Sequence, residues 1–331
     1  MAFSLCPQDI GIILTYRCHG RCQHCLYNCG PHWPQETMSP ATVRDVLKAV
    51  AIWPHCPQVH FTGGEPFLDF PLLLHAVELA AEFGIPRYVE TSGSWCTGDE
   101  LALSQFTELR EAGLQAVLIS CSPFHAERIP PVRTLRAVRT AIQVFGRERV
   151  MVYLPAFLGV IQRFEQERPT PLSVYEEELG PVEAQRVLWW GYGLIGGGRA
   201  GYCLGRLVAR RPAEAFVHDT CANEILHAVH SHMDLYGHFI SGFCGGLTVG
   251  EWRALPQLLA DFQAGRYPDL VRVLIDEGPY GLYQLAWNEY AFRPRPEGYA
   301  DKCHLCVDVR CHLAAAGEFL ELRPLEFYKR C

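Results

Sequence analysis

The chain reads as an α/β protein: a partial (β/α)6 TIM-like barrel followed by a small, mostly irregular C-terminal cysteine-rich domain. Three observations predict this. Short apolar runs rich in β-branched residues recur six times before residue 191, helical patterns separate them, and the alternation stops at a glycine-rich stretch over residues 191–201. Regular alternation of strand and helix is the pattern of a parallel sheet with helical crossovers.

The strands are expected at residues 11–15, 58–62, 87–91, 116–120, 149–154 and 186–190, each short and apolar. The first helix is expected over 41–52. Ser39 caps it, Pro40 suits its first turn, and Val43, Val46, Leu47 and Val50 share one face. A second runs over 71–83, capped by Asp69 and ended by Gly84 and Pro86. Two more fit 100–112 and 132–145, with Gly113 and Gly146 as terminators. We set the domain boundary near Gly205, giving a core of residues 1–205 and a second domain of 206–331. With no repeat and no low-complexity tether, the second part is expected to pack on the first.

At 331 residues and 49% hydrophobic content, the chain can bury a sizeable core. A net charge of −7 provides no basic field for a nucleic acid or an anionic membrane surface. No stretch approaches the roughly 20 apolar residues of a membrane span, and the first seven residues lack the charged-then-apolar order of a secretion signal. The sequence therefore reads as cytoplasmic. Fifteen cysteines in such a setting point to metal or redox chemistry rather than a disulfide framework. They cluster at both ends, which implies two sites.

Directly after the first strand, Cys18, Cys22 and Cys25 stand in a C-x3-C-x2-C spacing. Three thiolates from one tight loop can ligate three irons of a cubane and leave the fourth open. The same residues also suit zinc, or are simply reduced thiols. At the end of the second strand stands Gly63-Gly64-Glu65-Pro66, where two glycines permit close backbone approach to a ligand and a carboxylate can accept from an ammonium.

The triplet after a first barrel strand, followed one β/α unit later by Gly-Gly-Glu-Pro, resembles the radical S-adenosylmethionine superfamily. The resemblance implies a 4Fe-4S cluster whose open iron is chelated by S-adenosylmethionine, with Gly63, Gly64, Glu65 and Pro66 on the cofactor's amino group. It also implies contacts from strand ends to the ribose and methionine, at Thr91 and Ser92 after the third strand and at Ser120 and Ser122 after the fourth. Ordinary turn chemistry explains these four equally well. Gly196 to Ala200 resembles the family's glycine-Arg segment, with Arg199 set to pair with the methionine carboxylate. His125 and Glu127 are candidate catalytic contacts at the barrel mouth, against the plainer reading of solvated loop residues. Cys203 is a candidate hydrogen-atom donor, or an inert buried thiol.

Cys221, Cys244, Cys303 and Cys306 can provide four more thiolates, and Asp234 to Gly237 resembles the hairpin preceding a cluster ligand in SPASM and Twitch domains. The implied cofactor is a second 4Fe-4S cluster with no open iron; zinc fits the same spacing. Cys311 and Cys331 stay unassigned, and Cys6, Cys29, Cys56, Cys96 and Cys121 read as core or loop thiols. The resemblance implies a 5'-deoxyadenosyl radical that abstracts hydrogen from a peptide or amino-acid substrate, with a reducing donor such as flavodoxin or ferredoxin. A radical dehydrogenase or mutase acting on a small molecule is the alternative. A non-catalytic iron-sulfur or zinc protein is the alternative of another class.

Overall fold

The computed structural model describes residues 5–330 except Pro54, Cys56, Glu165 and Glu318. Cys56 and Cys331, read above as a loop thiol and an unassigned thiol, lie outside the described residues. The chain forms two compact units. One comprises Asp9–Cys22 and Cys29–Ala184. The other comprises residues 5–8, Gln23–Asn28 and residues 185–330.

In the first unit, β1 (Asp9–Thr15), β2 (Gln58–Gly63), β3 (Arg87–Thr91), β4 (Ala116–Ser120) and β5 (Val150–Tyr153) pair in sequence order, every pair parallel. The crossovers carry α1 (Pro40–Ala51), α2 (Phe70–Glu82), α3 (Asp99–Glu111), the single turn α4 (Pro123–Ala126) and α5 (Pro131–Phe145). After β5 come α6 (Pro155–Gln162), α7 (Leu172–Leu179) and the short α8 (Pro181–Ala184). Each of the four expected helices starts one residue earlier than the sequence suggests.

The local causes are the expected ones. Ser39 Oγ accepts from Thr42 N at 3.1 Å, and Val43, Val46, Leu47 and Val50 are wholly buried. Asp69 Oδ1 accepts from Leu72 N at 3.2 Å. Strand residues alternate between faces. Ile10, Ile12, Val59, Phe61, Val89, Val117 and Ile119, on one face, are all fully buried.

The sixth expected strand is a correction. Residues 186–190 lie in a π-helical turn, Gln185–Gly191, where Tyr192 N donates to Val187 O and Leu194 N to Trp189 O. A short apolar run cannot distinguish strand from buried helix by periodicity. Here the segment follows directly on α8 and satisfies its backbone locally, burying Leu188 and Trp189 while Trp190 stays exposed.

The second unit is more regular than its sequence suggests. It holds α9 (Ala200–Leu204), α10 (Ala222–Leu226) and an antiparallel arrangement of β6 (His230–Asp234), β7 (His238–Ser241) and β8 (Gly250–Glu251). The helices α11 (Leu255–Gln263), α12 (Asp269–Asp276), α13 (Gly278–Glu289) and α14 (Lys302–Ala316) follow. Amphipathic spacing forms them: in α12, Leu270, Val271, Leu274 and Ile275 are buried together. No described helix is long and apolar enough to cross a membrane.

Candidate functional site

The first unit presents its polar groups at the C-terminal ends of β1 to β4. Beyond β1, Thr15 Oγ1 donates to Glu36 O and accepts from Arg17 N, and Cys18 N donates to Gly30 O. Two thiols converge on Gly20: a Cβ there would lie 3.2 Å from Cys22 Sγ and 4.0 Å from Cys18 Sγ. Both cysteines are unbridged, Cys22 buried and Cys18 half-buried. His19 Nδ1 lies 3.1 Å from Ser94 Oγ, and burial lowers its pKa, with Arg133 and Arg17 acting in the same direction.

The loop after β2 is pressed against this segment. Gly64 N donates to Thr15 O at 2.7 Å and Glu65 N to Arg17 O at 3.0 Å. Any side chain at Gly64 would collide with the Arg17 carbonyl, and Gly63 has a φ of +130° beside the Thr15 carbonyl. Only glycine suits both positions. Pro66 then starts a 3-10 turn over Glu65.

Glu65 is fully buried and accepts from five donors: Thr91 Oγ1 at 2.8 Å, Ser92 N at 3.1 Å, Ser92 Oγ at 2.5 Å, and Ser94 Oγ and Phe67 N at 3.4 Å. Burial raises its pKa, and the Ser92 and Thr91 hydroxyls oppose the rise. Thr91 is itself fixed by Gly93 N and Trp95 Nε1, and Trp95 stacks on Phe67 with centroids 4.0 Å apart. Thr91 and Ser92 therefore hold Glu65, and both side chains are occupied in doing so.

Ser120 and Ser122 face different partners. Ser120 Oγ donates to Glu90 Oε1 at 3.1 Å, whereas Ser122 Oγ lies 2.8 Å from His125 Nδ1. Burial drives the His125 pKa down to about 4, which leaves the imidazole neutral near pH 7, and one of its ring nitrogens lies within 4.8 Å of Cys22 Sγ. Glu127 is half-buried, 3.7 Å from Arg128 Nε.

Cys25 belongs to the second unit. Its carbonyl accepts from Arg199 N at 3.1 Å, and Gly198, at φ +55°, packs against the Cys25 and Leu26 carbonyls. Arg199 is buried and its Nη1 donates to Asn28 Oδ1 at 2.5 Å, while Asn28 Nδ2 donates to Phe327 O at 2.6 Å. Cys203 sits half-buried on α9 as an unbridged thiol.

The four C-terminal cysteines lie near enough for their charges to interact. Cys221 precedes α10, Cys244 follows β7, and Cys303 and Cys306 lie three apart in the first turns of α14. Burial raises the Cys303 pKa well above its usual value, and Asp301, Cys244, Cys306 and Cys221 add to the rise. Burial likewise pushes Cys244 up to about 11, with Arg310 acting the other way. Asp301 caps α14 by accepting from His304 N and also accepts from Gly196 N. The expected hairpin is present: Asp234 Oδ1 accepts from Tyr236 N and His238 N around Gly237. Cys311 is disulfide-bonded. Cys29, Cys96 and Cys121 are buried and Cys6 is exposed.

Residues 12–153 match the profile of the radical SAM superfamily. The chain carries a radical SAM domain. The chain is 32% identical over 197 residues to a PqqA peptide cyclase of Xanthomonas campestris pv. campestris, covering 57% of this chain and 49% of that one. It is 25% identical over 119 residues to YydG of Bacillus subtilis, whose name ties it to peptide biosynthesis, covering 36% and 37%. It is 28% identical over 131 residues to a GTP 3',8-cyclase of Corynebacterium glutamicum, covering 38% and 34%. The chain thus spans a third to a half of the length of these relatives. Sequence reasoning missed Asp9, His60, Tyr88 and Tyr153 in the first unit and read Glu90 only as a polar group at the end of the third strand. The alternation of polar and apolar residues in β2 and β3 was the signal.

Proposed function

We propose that this chain is a radical S-adenosylmethionine enzyme that modifies a peptide or amino-acid substrate by crosslinking, epimerisation or oxidation. The observation that carries the reading is the backbone pairing of Gly64 and Glu65 with Thr15 and Arg17, which ties the cofactor-type loop to the segment bearing Cys18. The donor set fits the implied cluster, since Cys18 and Cys22 are unbridged thiols turned to the same small space beside Gly20. Cys25 is assigned as the third ligand from its spacing. When bound, the cluster supplies the electron that splits S-adenosylmethionine into methionine and a 5'-deoxyadenosyl radical, which takes hydrogen from the substrate.

The protein's part is to orient and exclude. Thr91 and Ser92 fix the Glu65 carboxylate, and Gly63 and Gly64 keep the loop low enough for a ligand to approach. Neutral His125 and Glu127 are assigned to the substrate side, with Ser120 and Ser122 near the cofactor. Arg199 and Cys203 keep their candidate roles as a methionine-carboxylate partner and a hydrogen-atom donor. Burial disfavours the thiolates of Cys221, Cys244 and Cys303, a penalty that a bound metal removes, so together with Cys306 they suit a second 4Fe-4S cluster. Zinc remains the competing occupant. Flavodoxin or ferredoxin is the expected donor, in the reducing cytoplasm.

The peptide substrate is supported by the similarity to two relatives named for peptide chemistry. The match to a GTP 3',8-cyclase favours a second reading, a small-molecule substrate. Anaerobic reconstitution with iron and sulfide, followed by iron counting and electron paramagnetic resonance, tests the core claim. About eight irons per chain, with one of two signals moved by S-adenosylmethionine, is expected for two cubanes. About four would leave the C-terminal thiols to zinc. Cys22→Ala should abolish 5'-deoxyadenosine formation; if the variant still makes it, the ligand assignment fails.

A further inference from the structure

Parallel sheets are ordinarily covered on both faces, and their strands read as continuous apolar runs. The five-stranded sheet here departs from that on the face opposite Val59, Phe61 and Val89. His60 and Thr62 on β2, Tyr88 and Glu90 on β3, and Ser120 on β4 share this second face, with His60 in register with Tyr88 and Ser120 with Tyr153 of β5. It stays accessible at Glu90, whose side chain is 36% exposed, and at Tyr153, 41% exposed.

Glu90 is held by hydroxyl groups. Thr62 Oγ1 donates to its Oε2 at 3.2 Å and Ser120 Oγ to its Oε1 at 3.1 Å, one donor to each oxygen of a group that can accept about four. Among the described residues no lysine or arginine pairs with it, and its nearest basic group is His60 Nε2 at 4.0 Å. The Nδ1 of that histidine is engaged by Asp9 at 2.8 Å, and Asp9 also accepts from Tyr88 OH at 2.7 Å. Three neighbouring strands therefore hold an open carboxylate in place. On the far side of Ser120, β5 sets Tyr153 on the same face, paired in register with the serine that donates to Glu90, and the Glu90 charge adds to burial in raising the phenol's pKa.

A fixed carboxylate next to an accessible aromatic ring is the arrangement that selects an organic cation, through a charge-assisted hydrogen bond and a cation–π contact. We propose that Glu90 and Tyr153 form a specificity site that holds an ammonium or guanidinium group of the substrate. The substrate class is then a peptide or amine presenting a lysine, an arginine or a free amino group. The assignment rests on the radical SAM reading only in taking this face as the substrate side.

The test is a binding measurement on the reconstituted holoenzyme, by saturation-transfer NMR titration. The probes are N-acetyl-lysine amide and N-acetyl-arginine amide, with neutral N-acetyl-norleucine amide and N-acetyl-citrulline amide as partners. The cationic probes should bind at least tenfold more tightly than their neutral partners. Glu90→Gln, whose amide oxygen can still accept from Thr62 or Ser120, should erase that preference, and Tyr153→Leu should weaken the cationic probes about threefold or more. Equal binding of charged and neutral probes, or an unchanged preference in Glu90→Gln, would overturn the proposal. Should Glu90→Gln fail to fold, Tyr153→Leu decides in the same way. Formation of 5'-deoxyadenosine is scored separately on the unaltered protein. Its absence alongside an intact cation preference would sink the enzymatic reading and leave the site standing.

Discussion

Replacing Gly64 with alanine adds one methyl at the tightest backbone crossing near the cofactor-type loop. The new Cβ would collide with the Arg17 carbonyl and lie 2.9 Å from the Tyr16 carbonyl carbon. Both neighbours are main chain, so no rotamer change relieves the overlap. Relief requires the 64–65 backbone to withdraw from β1, which costs the hydrogen bonds Gly64 N to Thr15 O and Glu65 N to Arg17 O. Two lost bonds at about 1 kcal/mol each, with about 1–2 kcal/mol of residual overpacking, give roughly 3–4 kcal/mol. Gly159→Ala is the matched control. It makes the same chemical change inside α6 with no atom within 4 Å of the new methyl, and should stabilise by about 0.5–1 kcal/mol through helix propensity. Urea unfolding followed by far-UV circular dichroism reads both. A Gly64→Ala variant within about 0.5 kcal/mol of the parent would refute the close approach itself, because overpacked main chain has no inexpensive escape.

Other outcomes follow from the same geometry. Glu65→Gln sets an amide donor against the Ser92 N–H or the Thr91 hydroxyl that the carboxylate now accepts from; about 2 kcal/mol of lost positioning, roughly thirtyfold, should appear in S-adenosylmethionine affinity by calorimetry. Cys244→Ser should lower iron by about four per chain after reconstitution if the C-terminal thiols hold a cubane, and leave the count unchanged if they hold zinc. Tyr88→Phe deletes the donor to Asp9 Oδ2 and should cost about 1.5 kcal/mol in urea, since Asp9 keeps its bonds from Gln58 and His60. Ser39→Ala removes the α1 cap and should cost about 1 kcal/mol in the same assay.

The radical SAM domain was legible where chemistry is local. Caps at Ser39 and Asp69 and terminators at Gly84, Gly113 and Gly146 act on their own neighbours, so α1 to α3 and α5 fall within a residue of expectation. Gly63-Gly64-Glu65-Pro66 was legible for a similar reason, since paired glycines announce a backbone that must pass close to something. Residues 186–190 misled because five apolar residues satisfy strand and π-turn alike, and only the main-chain bonds decide. The role of Thr91 and Ser92 was hidden because their partner Glu65 lies 26 and 27 residues away. Glu90 was visible only as a strand-end acid until register put Thr62 and Ser120 on either side of it. The helices after Gly205 were obscured by cysteines and aromatics that break the usual apolar spacing.

The interleaving of the two units along the chain sets a timetable. Cys18 and Cys22 belong to a segment with partners such as Gly30, Ser94 and His125, which arrive early in translation. The next six residues, carrying Cys25, take theirs from Arg199 and from Phe327, the latter 299 residues downstream. At typical ribosome speeds of about 5–20 residues per second, that interval is roughly 15–60 s. A nascent chain arrested before residue 199 should expose Cys25 to alkylation while α1 to α5 are already protected. Residues 23–28 would then be fully fixed only after nearly all of this sequence has left the ribosome.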